Sequence, residues 1–315
     1  MLVVTLVILV TIIAGGWFLW THFIDGKGGD GNGGCQYNPL HDATNITTIL
    51  QGVENADSRH MVGGWINMSP THQQVAWQCE GVNCISAGHM TPTWEPTTAE
   101  EMNLGTRTGI RYFFYTLGGQ GVGGQRWDNA FATKNLTADN IHTMAQKVHY
   151  TDSTGAKHYP NGVVFDMEGM LGKDQYGSYS SAIDHLRRNV IVQLQDKGYN
   201  YFVWCPIAGS LATSYIPQAT VPNSPWDNFT HVAPMFYEGN RSYEHGLPEF
   251  EHTIGILTEK GYRRDQIILT FQSFSAFRHP EVLQKIINVH NAHPCAGVMG
   301  WPSLDDPAVD DCVGA

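Results

Sequence analysis

Short apolar runs recur along the chain at Met61 to Ile66, Val82 to Ala87, Gly109 to Leu117, Gly162 to Met167, Tyr201 to Ile207, His231 to Tyr237, Gln266 to Phe271 and Ala296 to Trp301. Runs of this length, apolar on successive rather than alternate residues, suit parallel strands covered on both faces. Between several of them the apolar positions switch to helical spacing. These stretches are Thr137 to His149, Ser180 to Lys197, Pro248 to Lys260 and Pro280 to Asn291, the second and third stopped by Gly198 and Gly261. Eight strands alternating with helices over roughly 250 residues predict an α/β chain folded as a (β/α)8 TIM barrel, with its active site where strands end and βα loops begin. A doubly wound open sheet is the alternative arrangement of the same elements.

A different pattern occupies the N-terminus. From Leu2 to Ile24 no side chain carries a formal charge when His22 is neutral. Rising about 1.5 Å per residue, such a helix reaches roughly 35 Å and crosses a bilayer core. Nothing basic precedes it, and Trp17, Trp20 and His22 near its far end suit an interface, so it reads as an uncleaved anchor rather than a cleaved signal. Asp25 to Gly34 then holds six glycines in ten residues, a solvated tether. The expected organisation is a transmembrane signal anchor over 1–24, a glycine-rich linker over 25–34 and the barrel over 35–315.

Two features bear on the compartment. Sequons at Asn45, Asn67, Asn135, Asn228 and Asn240 and an even six cysteines predict a glycoprotein with disulfide bonds on the extracellular or lumenal side of the membrane. Cys79 with Cys84 and Cys295 with Cys312 are the shortest loops, while Cys205, inside an apolar string, fits a buried thiol equally well.

Composition removes several function classes. A 42% hydrophobic and 15% charged chain is folded rather than disordered. Its 18 Lys and Arg against 29 Asp and Glu give a net charge of −11, which repels a phosphate backbone, so no nucleic-acid partner is expected. Fifteen histidines occur without H-E-x-x-H or paired C-x-x-C spacing, and no metal is expected. The glycines from Gly118 to Gly124 lack a following lysine-serine pair, no G-x-S-x-G elbow is present, and no cofactor is expected.

The chemistry gathers at the end of the fourth strand, Asn161-Gly162-Val163-Val164-Phe165-Asp166-Met167-Glu168. Asp166 and Glu168 are two residues apart, so on a strand they share a face and point into the barrel mouth. Two carboxyl groups that close titrate together, which suits one of them to protonate a leaving oxygen near neutral pH.

This stretch resembles the D-G-x-D-x-D-x-E motif of glycoside hydrolase family 18, the chitinases and endo-β-N-acetylglucosaminidases. Gly162, Asp166 and Glu168 fall on its glycine, last aspartate and catalytic acid. In the same order along the chain, Thr116-Leu117-Gly118-Gly119 resembles S-x-G-G, and Met235-Phe236-Tyr237-Glu238 resembles M-x-Y-[DN]. Gly297 to Trp301 resembles the last strand with its tryptophan floor. The resemblance implies a glycoside hydrolase acting on a GlcNAc-containing glycan by substrate-assisted catalysis, with Glu168 as proton donor. It implies that Asp166 orients the sugar's acetamido group, Tyr237 holds the acetamido oxygen and Trp301 stacks beneath the ring. It also implies that Met235, Glu238, Gly118 and Gly119 line the substrate site. It further implies a cis bond between Trp301 and Pro302 that turns the indole across the mouth.

The sequence departs from the motif at Asn161, where the first aspartate stands, and at Val164, where the middle one stands. Glu238 is one methylene longer than the usual residue. These departures motivate a second reading, a catalytically weak or inactive glycan-binding surface protein on the same barrel. A muramidase-type barrel fits Asp166 and Glu168 but not the glycine pair after the third strand. His89, Trp94, Trp127 and Trp204 are further candidates near loop ends.

Overall fold

A computed structural model describes residues 39–53, 59–66, 81–88, 101–118, 136–167, 186–206, 229–236, 250–272, 276 and 280–301. In chain order the strands are β1 (Met61–Trp65), β2 (Cys84–Ala87), β3 (Met102–Thr106), β4 (Tyr112–Gly118), β5 (Val148–Thr151), β6 (Lys157–His158), β7 (Gly162–Met167), β8 (Tyr201–Pro206), β9 (His231–Val232), β10 (Ile268–Gln272) and β11 (Gly297–Trp301). Eight of them form one parallel sheet in the order β10-β11-β1-β2-β4-β7-β8-β9. A parallel bridge between Val232 and Ile267 joins the two ends, so the sheet is a nearly closed barrel of the (β/α)8 kind.

Side chains alternate along every barrel strand, and each face has its own cluster. Inward positions bring Met61, Tyr112, Phe114, Val164, Val203, Ile268 and Met299 into one buried apolar group. Outward positions such as Val62, Ile85, Phe113, Phe165, Phe202 and Leu269 join a larger group that packs under the helices. The interior is filled with side chains rather than open as a pore. Close packing also explains Gly162: a Cβ there stands 2.8 Å from Phe114 Cδ1 and 2.7 Å from Tyr201 Cβ, both below a tolerable contact.

The described helices are α1 (Pro39–Gly52), α2 (Ala138–Ala145), α3 (Val192–Asp196), α4 (Phe250–Glu259) and α5 (Glu281–Ala292). Thr137 caps α2 by accepting the Asn140 amide at 3.2 Å. A π-helical turn, Arg187–Ile191, leads into α3. Gly198 and Gly261, the expected helix stops, both adopt φ of +92°, the left-handed conformation that ends a helix. α1, which the periodicity did not reveal, packs on α5 and β1, and Asn291 Nδ2 donates to Gly52 O at 2.8 Å.

Several expectations change. The helix expected over Thr137 to His149 ends at Ala145, because Val148–Thr151 leaves to pair with β3 and β6 in a three-stranded sheet. The strand expected over His231 to Tyr237 is regular only for His231–Val232. Cys84, Cys205 and Cys295 are buried thiols, so neither expected disulfide forms: Cys84 faces the barrel interior with its Sγ 3.6 Å from Met299 Sδ, and Cys295 Sγ lies 3.8 Å from His293 O. Asn45 is 1% exposed within α1, which leaves no room for a glycan on that sequon. The other four sequons lie outside the described residues, as does Leu2 to Ile24. Among the described residues no helix is long and apolar enough to cross a membrane.

Burial also sets an acid limit on stability. His290 in α5 is 1% exposed, meets His60 edge-on at 5.0 Å and accepts the Cys295 amide on Nδ1 at 3.4 Å, which leaves the ring proton on Nε2. Burial, then the neighbouring His60 and Arg264, pulls its pKa down to about 4, and burial lowers His231 to about 4 as well. Below pH ~6.5 the unfolded chain protonates these rings while the folded one does not. Stability is therefore full above that pH and falls as the pH drops from ~6.5 toward 4. Urea midpoints across this window should decline with acid, and His290→Gln should flatten the decline; an equal slope in the variant contradicts the assignment.

Candidate functional site

The mouth is built by the inward positions at the C-terminal ends of the barrel strands. Asp166, the penultimate residue of β7, is 2% exposed, with Gly118 on β4 and Cys205 on β8 as its neighbours in register. The glycine adds no side chain of its own beside the carboxyl group. Trp301 stands at the end of β11, which is four strands from β7 in either direction around the sheet. It packs on the interior cluster, with its ring 5.6 Å from Trp65 and tilted by 50°. A buried carboxyl group and a half-buried indole thus stand on opposite walls of the barrel. Met235 is 2% exposed on the same interior cluster, beyond β9.

Of the residues expected at the site, the structure brings Asp166, Gly118, Met235 and Trp301 to one end of the barrel. Glu168, Tyr237, Glu238 and Gly119 lie outside the described residues, as do His89, Trp94, Trp127 and Pro302. Trp204 is corrected: it occupies an outward position on β8, 2% exposed in the helix-side cluster, 6.5 Å from the Tyr262 ring, and cannot serve as a sugar platform. Trp65 was not singled out by sequence reasoning. The alternation that puts Met61 inward on β1 places Trp65 inward too, under Trp301.

The two departures from the motif have different consequences. Val164 is fully buried one inward step below Asp166, in register with Thr116 and Val203. Thr116, its in-register neighbour on β4, shares a hydrogen bond with the Ser86 hydroxyl at 2.5 Å. Asn161 sits at the other end of the strand, roughly 16 Å from Asp166 at ~3.3 Å per residue. Its Oδ1 accepts the Phe113 amide at 3.0 Å and its Nδ2 donates to Arg111 O at 3.0 Å. Asn83 does the same before β2, accepting Val62 N at 2.8 Å and donating to His60 O at 2.7 Å. Thr230 repeats the device before β9, accepting Phe202 N at 2.9 Å and donating to Phe202 O at 3.1 Å. These side chains extend the sheet ladder past the strand starts. Asn161 therefore clamps the floor of the barrel and takes no part at the mouth.

No protein-family model matches the chain, and no curated protein matches it. Among solved structures it is similar to a fungal endo-beta-N-acetylglucosaminidase from glycosyl hydrolase family 18, with 13% identity and a TM-score of 0.40. The match covers 62% of this chain and 64% of that one, so the chain spans less than two thirds of its length.

The clamp makes a direct prediction. Asn161→Asp restores the residue of the family motif but turns a carboxylate oxygen onto Arg111 O, replacing a hydrogen bond by a repulsion. It should lower stability by about 1–3 kcal/mol in urea melts and leave glycan turnover or binding unchanged. A gain in turnover with no loss of stability refutes the structural role.

Proposed function

We propose that the chain is a glycosidase that hydrolyses β-linked N-acetylglucosamine glycans by substrate-assisted catalysis. The single observation that carries this reading is the inward, buried Asp166 at the C-terminal end of β7, opposite the half-buried Trp301. The sequence adds Glu168 two residues on, the spacing at which a continuing strand would present it to the same side.

In this mechanism Glu168 donates its proton to the glycosidic oxygen as the bond to the anomeric carbon breaks. The acetamido oxygen of the same sugar forms the replacing bond from the opposite side, giving a cyclic oxazolinium. Asp166 accepts the acetamido N–H and balances the charge that develops, and the Tyr237 hydroxyl donates to the acetamido oxygen to aim it. Trp301 supplies an apolar floor for the sugar ring, with Trp65 beneath it. Met235 and Glu238 border the sugar, and Gly118 and Gly119 keep that side of the site clear. Water then opens the oxazolinium while Glu168 takes back the proton, so the enzyme ends as it began. The substrate class is chitin-like polymers or the chitobiose core of N-glycans. Leu2 to Ile24 anchors the protein in a membrane, and the barrel acts on the extracellular or lumenal side; the apolar run and the glycine tether support that placement.

A second reading, glycan binding without turnover, is favoured by one feature: the apolar Val164 beneath Asp166 offers no proton partner. Incubation of the protein with chito-oligosaccharides and N-glycans, followed by mass spectrometry, separates the two. The wild type should release GlcNAc-terminated products, and Glu168→Gln should lower turnover by about 100-fold or more while the fold persists. Binding without products from either protein selects the second reading, and neither binding nor cleavage refutes both.

A further inference from the structure

The barrel is joined least regularly between β9 and β10, and that seam carries the segment Ala233 to Phe236. On the β8 side the segment is held by backbone bonds, Ala233 N to Trp204 O at 2.7 Å and Met235 N to Pro206 O at 2.8 Å. On the β10 side a backbone bridge joins Val232 with Ile267, and Pro234 has no N–H with which to continue it. One side chain takes over there. The Thr270 hydroxyl, fully buried at an inward position of β10, donates to Pro234 O at 2.5 Å and accepts the Phe236 amide at 3.2 Å.

We infer that Thr270 is a positioning residue for glycan turnover, a side-chain latch that closes the seam and sets the register in which the chain enters the site. A single hydroxyl that both donates and accepts fixes the two peptide groups on either side of Met235. Phe236 is fixed a second time by its ring, 4.7 Å from Phe250 at the start of α4. Met235 points into the interior cluster and Phe236 out of it, and the next peptide bond leads to Tyr237. A slip at Pro234 or Phe236 is therefore passed on to the residue assigned to aim the acetamido oxygen. Valine matches threonine in shape but offers neither bond, leaving a buried carbonyl and a buried amide unpaired. This inference rests on the glycosidase reading, and its test keeps the two apart.

The test compares wild type, Thr270→Val and Thr270→Ser, the last retaining the hydroxyl. Hydrogen exchange of the peptide covering Ala233 to Phe236 and steady-state hydrolysis of a chito-oligosaccharide are measured on each. Thr270→Val should speed exchange in that peptide by 10-fold or more and lower kcat by 10-fold or more with KM changed less than 3-fold; Thr270→Ser should restore both. If Thr270→Val fails to fold, Thr270→Ala serves, with the same directions expected. Unchanged exchange, or faster exchange with unchanged kcat in an active enzyme, overturns the inference. A wild type that binds but does not cleave refutes the glycosidase reading alone; glycan affinity then replaces kcat, and an affinity unchanged by Thr270→Val overturns the latch's role at the site. A wild type that does neither refutes the reading and with it the role of Thr270 in it.

Discussion

Everything at the mouth of this protein depends on strict side-chain alternation along eight parallel strands held in register. Because the period is two, a one-residue slip of any strand exchanges its inward and outward sets. On β7 such a slip would put Phe165 in the barrel and turn Asp166 toward the helices. Register is protected in the interior and at the floor. The interior is packed with Tyr112, Phe114, Val164 and Val203, and at the floor Asn83, Asn161 and Thr230 lengthen the ladder with their side chains. The barrel's stability and the aim of its carboxyl group thus have a common physical origin.

This division of labour accounts for the two departures from the family motif. Asn161 lies on the floor, where a carboxamide can both accept from Phe113 and donate to Arg111; a carboxylate can only accept. Val164 lies inside, where it fills space between its in-register neighbours Thr116 and Val203. A single strand therefore carries a clamp at the floor and, in the proposed reading, the chemistry at the mouth, separated by its own length.

Much of the barrel was legible in the sequence because parallel strands covered on both faces read as apolar runs. Gly162–Met167 matched its expected bounds, and the strands at Met61, Tyr201 and Gly297 came within a residue. Glycine stops at Gly198 and Gly261 were legible because the left-handed conformation that ends a helix strains almost any residue but glycine. What stayed hidden depends on contacts between distant segments. Val148 and His149 read as the end of a helix until β3 is there to pair with them. The seam beside Pro234 is held by Thr270, 36 residues away, and no local pattern announces that bond. The pairing expected for Cys84 failed for the same reason, since that residue is committed by strand alternation to the barrel interior, while Cys35, Cys79 and Cys312 lie outside the described residues. At the site, Asp166 follows from its strand end and Gly118, Met235 and Trp301 from the motif resemblance, whereas the outward turn of Trp204 required its register.

The central claim is that this mouth cleaves a glycosidic bond with the substrate's own acetamido group as nucleophile. Such a reaction passes through two inversions at the anomeric carbon and retains configuration. Proton NMR of a chito-oligosaccharide during the first minutes of hydrolysis reads this directly. The newly released reducing end should appear first as the β-anomer, and an oligosaccharide with hydroxyls in place of the acetamido groups should not be cleaved. Initial release of the α-anomer, or equal cleavage of the substrate lacking acetamido groups, would contradict the mechanism.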